Sequence, residues 1–174
     1  MMHVFTRFAQ ALAIAAIAAV AIPATAMNMG SGVTMTKVAG PYKLVLQLLP
    51  AEPFYTQDQY AKEHPKDGML VMGGATPVAP GAASHPNHHL IVHVYDAASG
   101  KALTNAAVTI RYATVSGATK NLPIVEMQAI GKGPQSTHYG NNLYLPDGTY
   151  TVTVTANGNT ATFTVTAQAA SMKM

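Results

Sequence analysis

Hydrophobic and polar residues alternate with a period of two along most of this chain. That period is typical of strands with one buried face, and the runs are rich in Val, Ile, Thr and Tyr. Turn residues such as Asp147-Gly148 and Asn157-Gly158 separate them, and the last two runs read as a hairpin. About seven to eight strands of this kind predict an all-β fold, a single immunoglobulin-like antiparallel β-sandwich. The runs are Tyr42 to Leu49, His89 to Tyr95, Ala107 to Ala113, Pro123 to Ile130, Asn142 to Leu145, Thr149 to Ala156 and Thr160 to Thr166.

The first 26 residues have the pattern of a cleaved signal peptide. Arg7 supplies a positive charge, an apolar run extends from Ala9 to Ile22, and Ala24-Thr25-Ala26 is a cleavage signal. The apolar run is too short to predict a membrane span. The chain contains no cysteine, so it forms no disulfide. We therefore expect a periplasmic protein that is not embedded in the membrane.

The same pattern predicts four parts. Residues 1–26 are the signal peptide, 27–40 a flexible Met-containing segment, 41–167 the metal-binding sandwich with a long loop over 50–86, and 168–174 a flexible tail. Within the loop, Met69 to Met72 resembles a strand and Thr56 to Lys62 a short helical turn.

Charge and motifs exclude several classes of function. Only 10% of the residues are charged, the net charge is +3, and no basic cluster is present, so nucleic acid is not an expected partner. The sequence has no G-x-S-x-G, no cysteine nucleophile and no H-E-x-x-H, and its seven acidic residues are scattered. We therefore do not expect an enzyme.

The histidines are concentrated near one predicted strand. Four of the seven lie between His85 and His93. Alternation places His89 and His93 on the face opposite Leu90 and its alternate neighbours, about 13 Å apart. A metal ion beside either histidine would therefore need ligands from other strands.

Imidazole nitrogen and thioether sulfur together suit copper, as Cu+ or Cu2+, and imidazole also binds iron(II) or zinc. Each residue also has an ordinary explanation, since an outward histidine is usually solvated and a methionine usually fills the core. If those explanations hold, the chain is a non-catalytic secreted adhesion or assembly module with incidental histidines. The candidate ligands are His89, His93, Met127 and His138, followed by His88 and then His85.

Several segments resemble the periplasmic high-affinity iron-transport accessory family. The resemblance implies an immunoglobulin-like sandwich that binds copper or iron, serves an inner-membrane iron permease and often forms a homodimer. It also places His138 and Met127 at ligand positions. The segments are Leu46-Gln47, Glu52-Pro53, Met72-Gly73-Gly74, His138-Tyr139-Gly140-Asn141-Asn142 and Gly148-Thr149-Tyr150-Thr151-Val152-Thr153.

The chain departs from the family's pattern in three ways. The interval from Met127 to His138 is longer, no histidine follows His138, and His89 stands where the family has a glutamate. These departures leave open which metal the site would take. The functional expectation is a periplasmic carrier or accessory protein for copper or iron in metal uptake or tolerance.

Overall fold

The computed structural model describes residues 32–73 and 85–168, and these form an all-β sandwich of two sheets. The predicted fold class is therefore confirmed, with eleven strands in the described residues rather than seven or eight. One short helix, α1 (Gln57–Glu63), and one 3-10 turn (Pro134–Ser136) accompany them. The strands are β1 (Val33–Ala39), β2 (Tyr42–Pro50), β3 (Phe54–Tyr55), β4 (Met69–Val71), β5 (His88–Asp96), β6 (Val108–Thr114), β7 (Lys120–Leu122), β8 (Val125–Ala129), β9 (His138–Leu143), β10 (Gly148–Ala156) and β11 (Asn159–Ala167).

The two sheets differ in size. The larger has the order β1-β2-β5-β9-β8-β4-β3, and the smaller has the order β11-β10-β6-β7. Neighbouring strands are antiparallel except β3 and β4, which pair in parallel. The predicted hairpin is confirmed as β10 and β11, where Asn157 and Gly158 take the positive φ values that a tight hairpin turn requires.

The main core lies between the sheets. Leu44, Leu90, Val92, Val154 and Phe163 are among its residues, and none is more than 1% exposed. Because Leu90 and Val92 face this core, alternation places His89 and His93 on the outer face of the larger sheet. The predicted register of β5 is confirmed.

The outer face of the larger sheet is also buried in part. A second apolar cluster of Val71, Ile91, Val125 and Met127 lies there, with partly buried side chains such as Phe54 packed against it. This explains why β5 is buried at consecutive positions and not only at alternate ones. The histidines of β5 therefore sit beside a second, smaller core.

Some elements differ from the sequence-based expectation. Residues 33–39, assigned to a flexible segment, form β1, and β3, α1 and β4 lie in the expected long loop. The helical turn expected near Thr56 is confirmed as α1, whose N-terminus has a capping box between Thr56 and Gln59. The expected signal peptide, the part of the loop at 74–84 and the tail after residue 168 lie outside the described residues. None of the helices in the described ranges is long and apolar enough to cross a membrane.

Candidate metal centre

Three histidines meet on the outer face of the larger sheet. The ring centres of His138 and His89 are 5.7 Å apart, and those of His138 and His93 are 5.2 Å apart. His89 and His93 belong to β5, while His138 begins the neighbouring strand β9. A metal ion beside either β5 histidine was expected to need a ligand from another strand, and His138 lies next to both of them. We call these three side chains the histidine row.

His138 occupies the centre of the row in a fixed tautomer. Its side chain is 1% exposed, and Nδ1 lies 2.7 Å from the carbonyl oxygen of Ser136. Because a carbonyl only accepts, Nδ1 carries the proton and Nε2 carries the lone pair. Nε2 is buried without a hydrogen-bond partner. The 3-10 turn thus holds an imidazole whose lone pair has nothing to bind among the described residues.

His89 lies at the buried end of the row. It is 0% exposed, and neither of its ring nitrogens makes a hydrogen bond within the described structure. The ring of Phe54 contacts it edge-on, with ring centres 5.4 Å apart. The nearby amide of Asn142 is bonded instead to the backbone of Glu52, as donor to its oxygen and acceptor from its nitrogen.

Burial keeps these histidines uncharged. It lowers the pKa of His89 to about 3, to which the charges of His138 and His93 contribute, while the amide of Asn142 opposes the shift. Burial also lowers the pKa of His138 to about 4, against the opposing effect of the Ser136 carbonyl and with a further lowering from His93. Neutral imidazole is the form that donates a lone pair to a metal, so both rings are ready to bind at neutral pH.

His93 lies at the partly exposed end of the row. Its Nδ1 is 3.1 Å from the carbonyl oxygen of Thr137, and its Nε2 is 3.2 Å from the amide oxygen of Gln47. The ring of Tyr95 stacks on it with an interplanar angle of 11°. Burial lowers the pKa of His93 as well, against the opposing effect of the Thr137 carbonyl. Unlike His89, this ring has an oxygen within hydrogen-bond distance of each nitrogen, and its single proton is donated to one of them.

Met127 adds a thioether beside His138. The two residues are direct partners in the pairing of β8 with β9, so their side chains share the outer face. Met127 is 0% exposed and belongs to the second apolar cluster. The arrangement therefore gathers four of the predicted ligands, namely His89, His93, Met127 and His138.

The other two candidates lie elsewhere. His88 shares the face of Leu90 at the start of β5, and its Nδ1 is 2.8 Å from the side-chain oxygen of Asn87. His85 is exposed and precedes β5. The structure does not bring either residue to the histidine row, because strand alternation directs His88 to the opposite face.

Three further residues shape the site, and none of them was among the candidate ligands predicted from the sequence. Gln47 contacts His93, Ser136 fixes the tautomer of His138, and Phe54 covers His89. The signals for Gln47 were its polar character at an alternate position of β2 between buried leucines and its place in the Leu46-Gln47 segment of the family resemblance. Ser136 acts through its backbone carbonyl, which no residue type reveals.

The spacing of the histidine row is compatible with a shared ion. With a metal about 2 Å from each nitrogen, two imidazoles on one ion have ring centres roughly 5 to 6 Å apart, depending on the angle at the metal. Both measured separations fall in this range. Within residues 32–73 and 85–168, no three His, Cys, Asp or Glu side chains are placed to hold a metal ion together.

Comparisons with known proteins add no relative. No family model, no curated protein and no solved structure matches this chain.

Proposed function

We propose that this protein binds a copper ion, held as Cu(I) by His89 and His138, with the sulfur of Met127 as a soft third donor. One observation supports this above the others. The Nε2 atom of His138 is buried, carries the lone pair of a neutral ring and has no hydrogen-bond partner in the described ranges. His89, whose two ring nitrogens also lack a partner there, lies beside it.

The character of the donors favours Cu(I) over iron. Thioether sulfur is a soft ligand that selects Cu(I), whereas iron(II) sites commonly combine imidazole with carboxylate. The side chains in contact with the row, from Phe54, Gln47 and Tyr95, are neutral. Bringing a dication into such a buried neutral site costs more solvation free energy than bringing in a monovalent ion.

We further propose that the protein uses this binding as a periplasmic carrier or accessory protein in copper or iron uptake or tolerance. The signal-peptide pattern of residues 1–26 supports the compartment. The segments that resemble the iron-transport accessory family support the role and suggest an inner-membrane iron permease as the receiver. Iron is the second candidate metal on the strength of that resemblance.

Anaerobic titration of the purified protein with Cu(I), against a chromogenic chelator, tests the proposal. We expect one ion per chain. His138→Ala should abolish this binding, while Met127→Leu should keep the fold and lower the Cu(I) affinity by roughly tenfold, as losses around a metal often do.

His88→Ala is the matched control, because that imidazole lies on the opposite face and should leave binding unchanged. Circular dichroism establishes that each variant is folded. Unchanged copper stoichiometry in folded His138→Ala would reject the site and favour the adhesion or assembly module.

A further inference from the structure

The histidine row has a direction. Its members run from partly exposed His93, through His138 at 1% exposure, to His89 at 0% exposure. His138 contacts both neighbours, with ring centres 5.2 Å and 5.7 Å away. The row therefore offers two adjacent positions for an ion, an outer one between His93 and His138 and an inner one between His138 and His89.

The two ends of the row differ in how their lone pairs are used. The Thr137 carbonyl only accepts, so the neutral ring of His93 has its proton on Nδ1 and its lone pair on Nε2. As placed, the amide oxygen of Gln47 lies 3.2 Å from Nε2 and its NH2 group faces Thr34; with the amide turned over, the NH2 group donates to the His93 lone pair. The amide also bonds the hydroxyl of Thr34, at 3.3 Å, and a hydroxyl can pair with either end of the amide. Gln47 in this orientation caps His93, whereas the amide near His89, that of Asn142, is bonded through its oxygen and its NH2 group to the backbone of Glu52.

We propose that His93 is a transfer ligand and not a resident one. When the Gln47 amide moves away from the ring, His93 and His138 bind Cu(I) at the outer position. The ion, still bound to His138, then moves to His89. This inference rests on the proposed function. The bond from copper to His93 breaks as the bond to His89 forms, and His138 stays bound throughout. No electron moves, and each imidazole keeps its one proton.

The return of Gln47 explains why the ion would settle at the inner position. His93 regains the amide as partner when the ion leaves it, while His89 has no competing partner to give up. An unpaired buried polar group is costly, so the inner position gains the most from the ion. Gln47 and His93 are expected to set the rate of copper exchange and not the final occupancy.

Stopped-flow kinetics on the full chain tests the transfer role of His93. The rate of Cu(I) uptake from a chromogenic chelator and the rate of Cu(I) release to an excess of the same chelator are measured. His93→Ala should leave one ion per chain at equilibrium and slow uptake and release alike by about tenfold, the effect of a higher barrier between unchanged end states. Gln47→Ala should accelerate both rates, because the outer lone pair is no longer capped.

Val45→Ala is the matched control, since Val45 is the β2 partner of His93 and carries no polar group. Its rates should equal those of the wild type.

Loss of equilibrium binding in folded His93→Ala, or unchanged rates in both His93→Ala and Gln47→Ala, would overturn the transfer role but not the copper site itself. If the wild type takes up no Cu(I) at all, the proposed function itself fails. Should His93→Ala not fold, the acceleration in Gln47→Ala decides the matter alone.

Discussion

Within the described part of the chain, His89 has no hydrogen bond at either ring nitrogen and His138 has none at Nε2, and such buried polar atoms destabilise a fold. Leaving a buried donor or acceptor unsatisfied costs about 1–3 kcal/mol, and His89 and His138 together contribute three such atoms. A residue that served only to fill space would be replaced by an apolar side chain without loss. The metal-binding role proposed above would give the lone pair of each ring a partner.

Replacing His89 by leucine separates packing from binding. Because His89→Leu removes two unsatisfied nitrogens from a site bordered by Phe54, we expect the free energy of unfolding at pH 7 to stay level or rise by up to about 2 kcal/mol. Copper binding should be lost in the same variant. Denaturant unfolding measures the first effect and Cu(I) titration the second. A marked loss of stability would instead assign His89 a structural role.

Acid should destabilise the metal-free protein at a pH set by these two residues. The pKa of His89 is lowered to about 3 and that of His138 to about 4, against 6.5 for the free group. Below pH 6.5 these two histidines therefore bind protons in the unfolded chain that they do not bind in the folded chain. Stability is complete above pH 6.5 and falls by roughly 1 kcal/mol per pH unit for each histidine, down to about pH 4 for His138 and pH 3 for His89.

Chemical denaturation between pH 7.5 and 4.5, on protein stripped with a chelator, checks this slope. The double variant His89→Leu with His138→Leu should show a clearly shallower dependence. An equal slope in the wild type and the double variant would show that other groups control the acid sensitivity.

At the scale of elements, the close approach of β9 to β5 brings the histidine row together. Strand β9 carries His138 and contains Gly140, where an added Cβ would collide with the carbonyl oxygen of Leu90 and lie 2.8 Å from the Cα of Ile91. Only glycine allows β9 to approach β5 this closely. The neighbouring histidines of β5 and β9 are brought together by that approach.

Gly140→Ala should therefore separate the two strands. We expect a loss of about 3 kcal/mol in the free energy of unfolding, because the clash is with backbone that cannot turn aside. Gly131→Ala is the control: its Cβ would meet nothing within 4 Å, and only its positive φ opposes the change. Thermal unfolding of the two variants gives the comparison, and an equal or smaller loss in Gly140→Ala would contradict the close-packing argument.

The same strand shows what the sequence could not predict. The hairpin β10 and β11 was predictable, because threonines alternate with buried residues on both sides of an Asn-Gly turn. In β9 every residue is buried, and Asn141 and Asn142 satisfy their amides with backbone groups from distant segments. A strand buried on both faces has no alternation to detect, so the predicted strand began only at Asn142.

The candidate site was predictable in part for a related reason. Alternation along β5 correctly put His89 and His93 on one face, a property of the local backbone. Their burial depends on the pairing of β4 with β8 and on the placement of Phe54, which are contacts between distant segments. Sequence periodicity carries no information about such pairing, so the position of these histidines beside a second core could not be predicted.

Across the whole molecule, the histidine row joins segments that are distant in sequence. His89 and His138 lie on neighbouring strands almost fifty positions apart, and Met127 lies on a third strand of the same sheet. An ion shared among them is bound by the folded chain only, because unfolding separates the donors. Copper binding and folding are therefore expected to be coupled.

Copper should raise the melting temperature of the wild type. At a free ion concentration one hundred times the dissociation constant, binding adds about 3 kcal/mol to the free energy of unfolding. For a domain of this size that corresponds to a rise of roughly 10 °C. Differential scanning calorimetry under anaerobic conditions, with Cu(I) buffered by a chelator, measures it. His138→Ala should show no rise, whereas His88→Ala, whose imidazole faces away from the row, should show the full one. An equal rise in wild type and His138→Ala would mean that copper stabilises the protein from somewhere other than the outer face of the larger sheet.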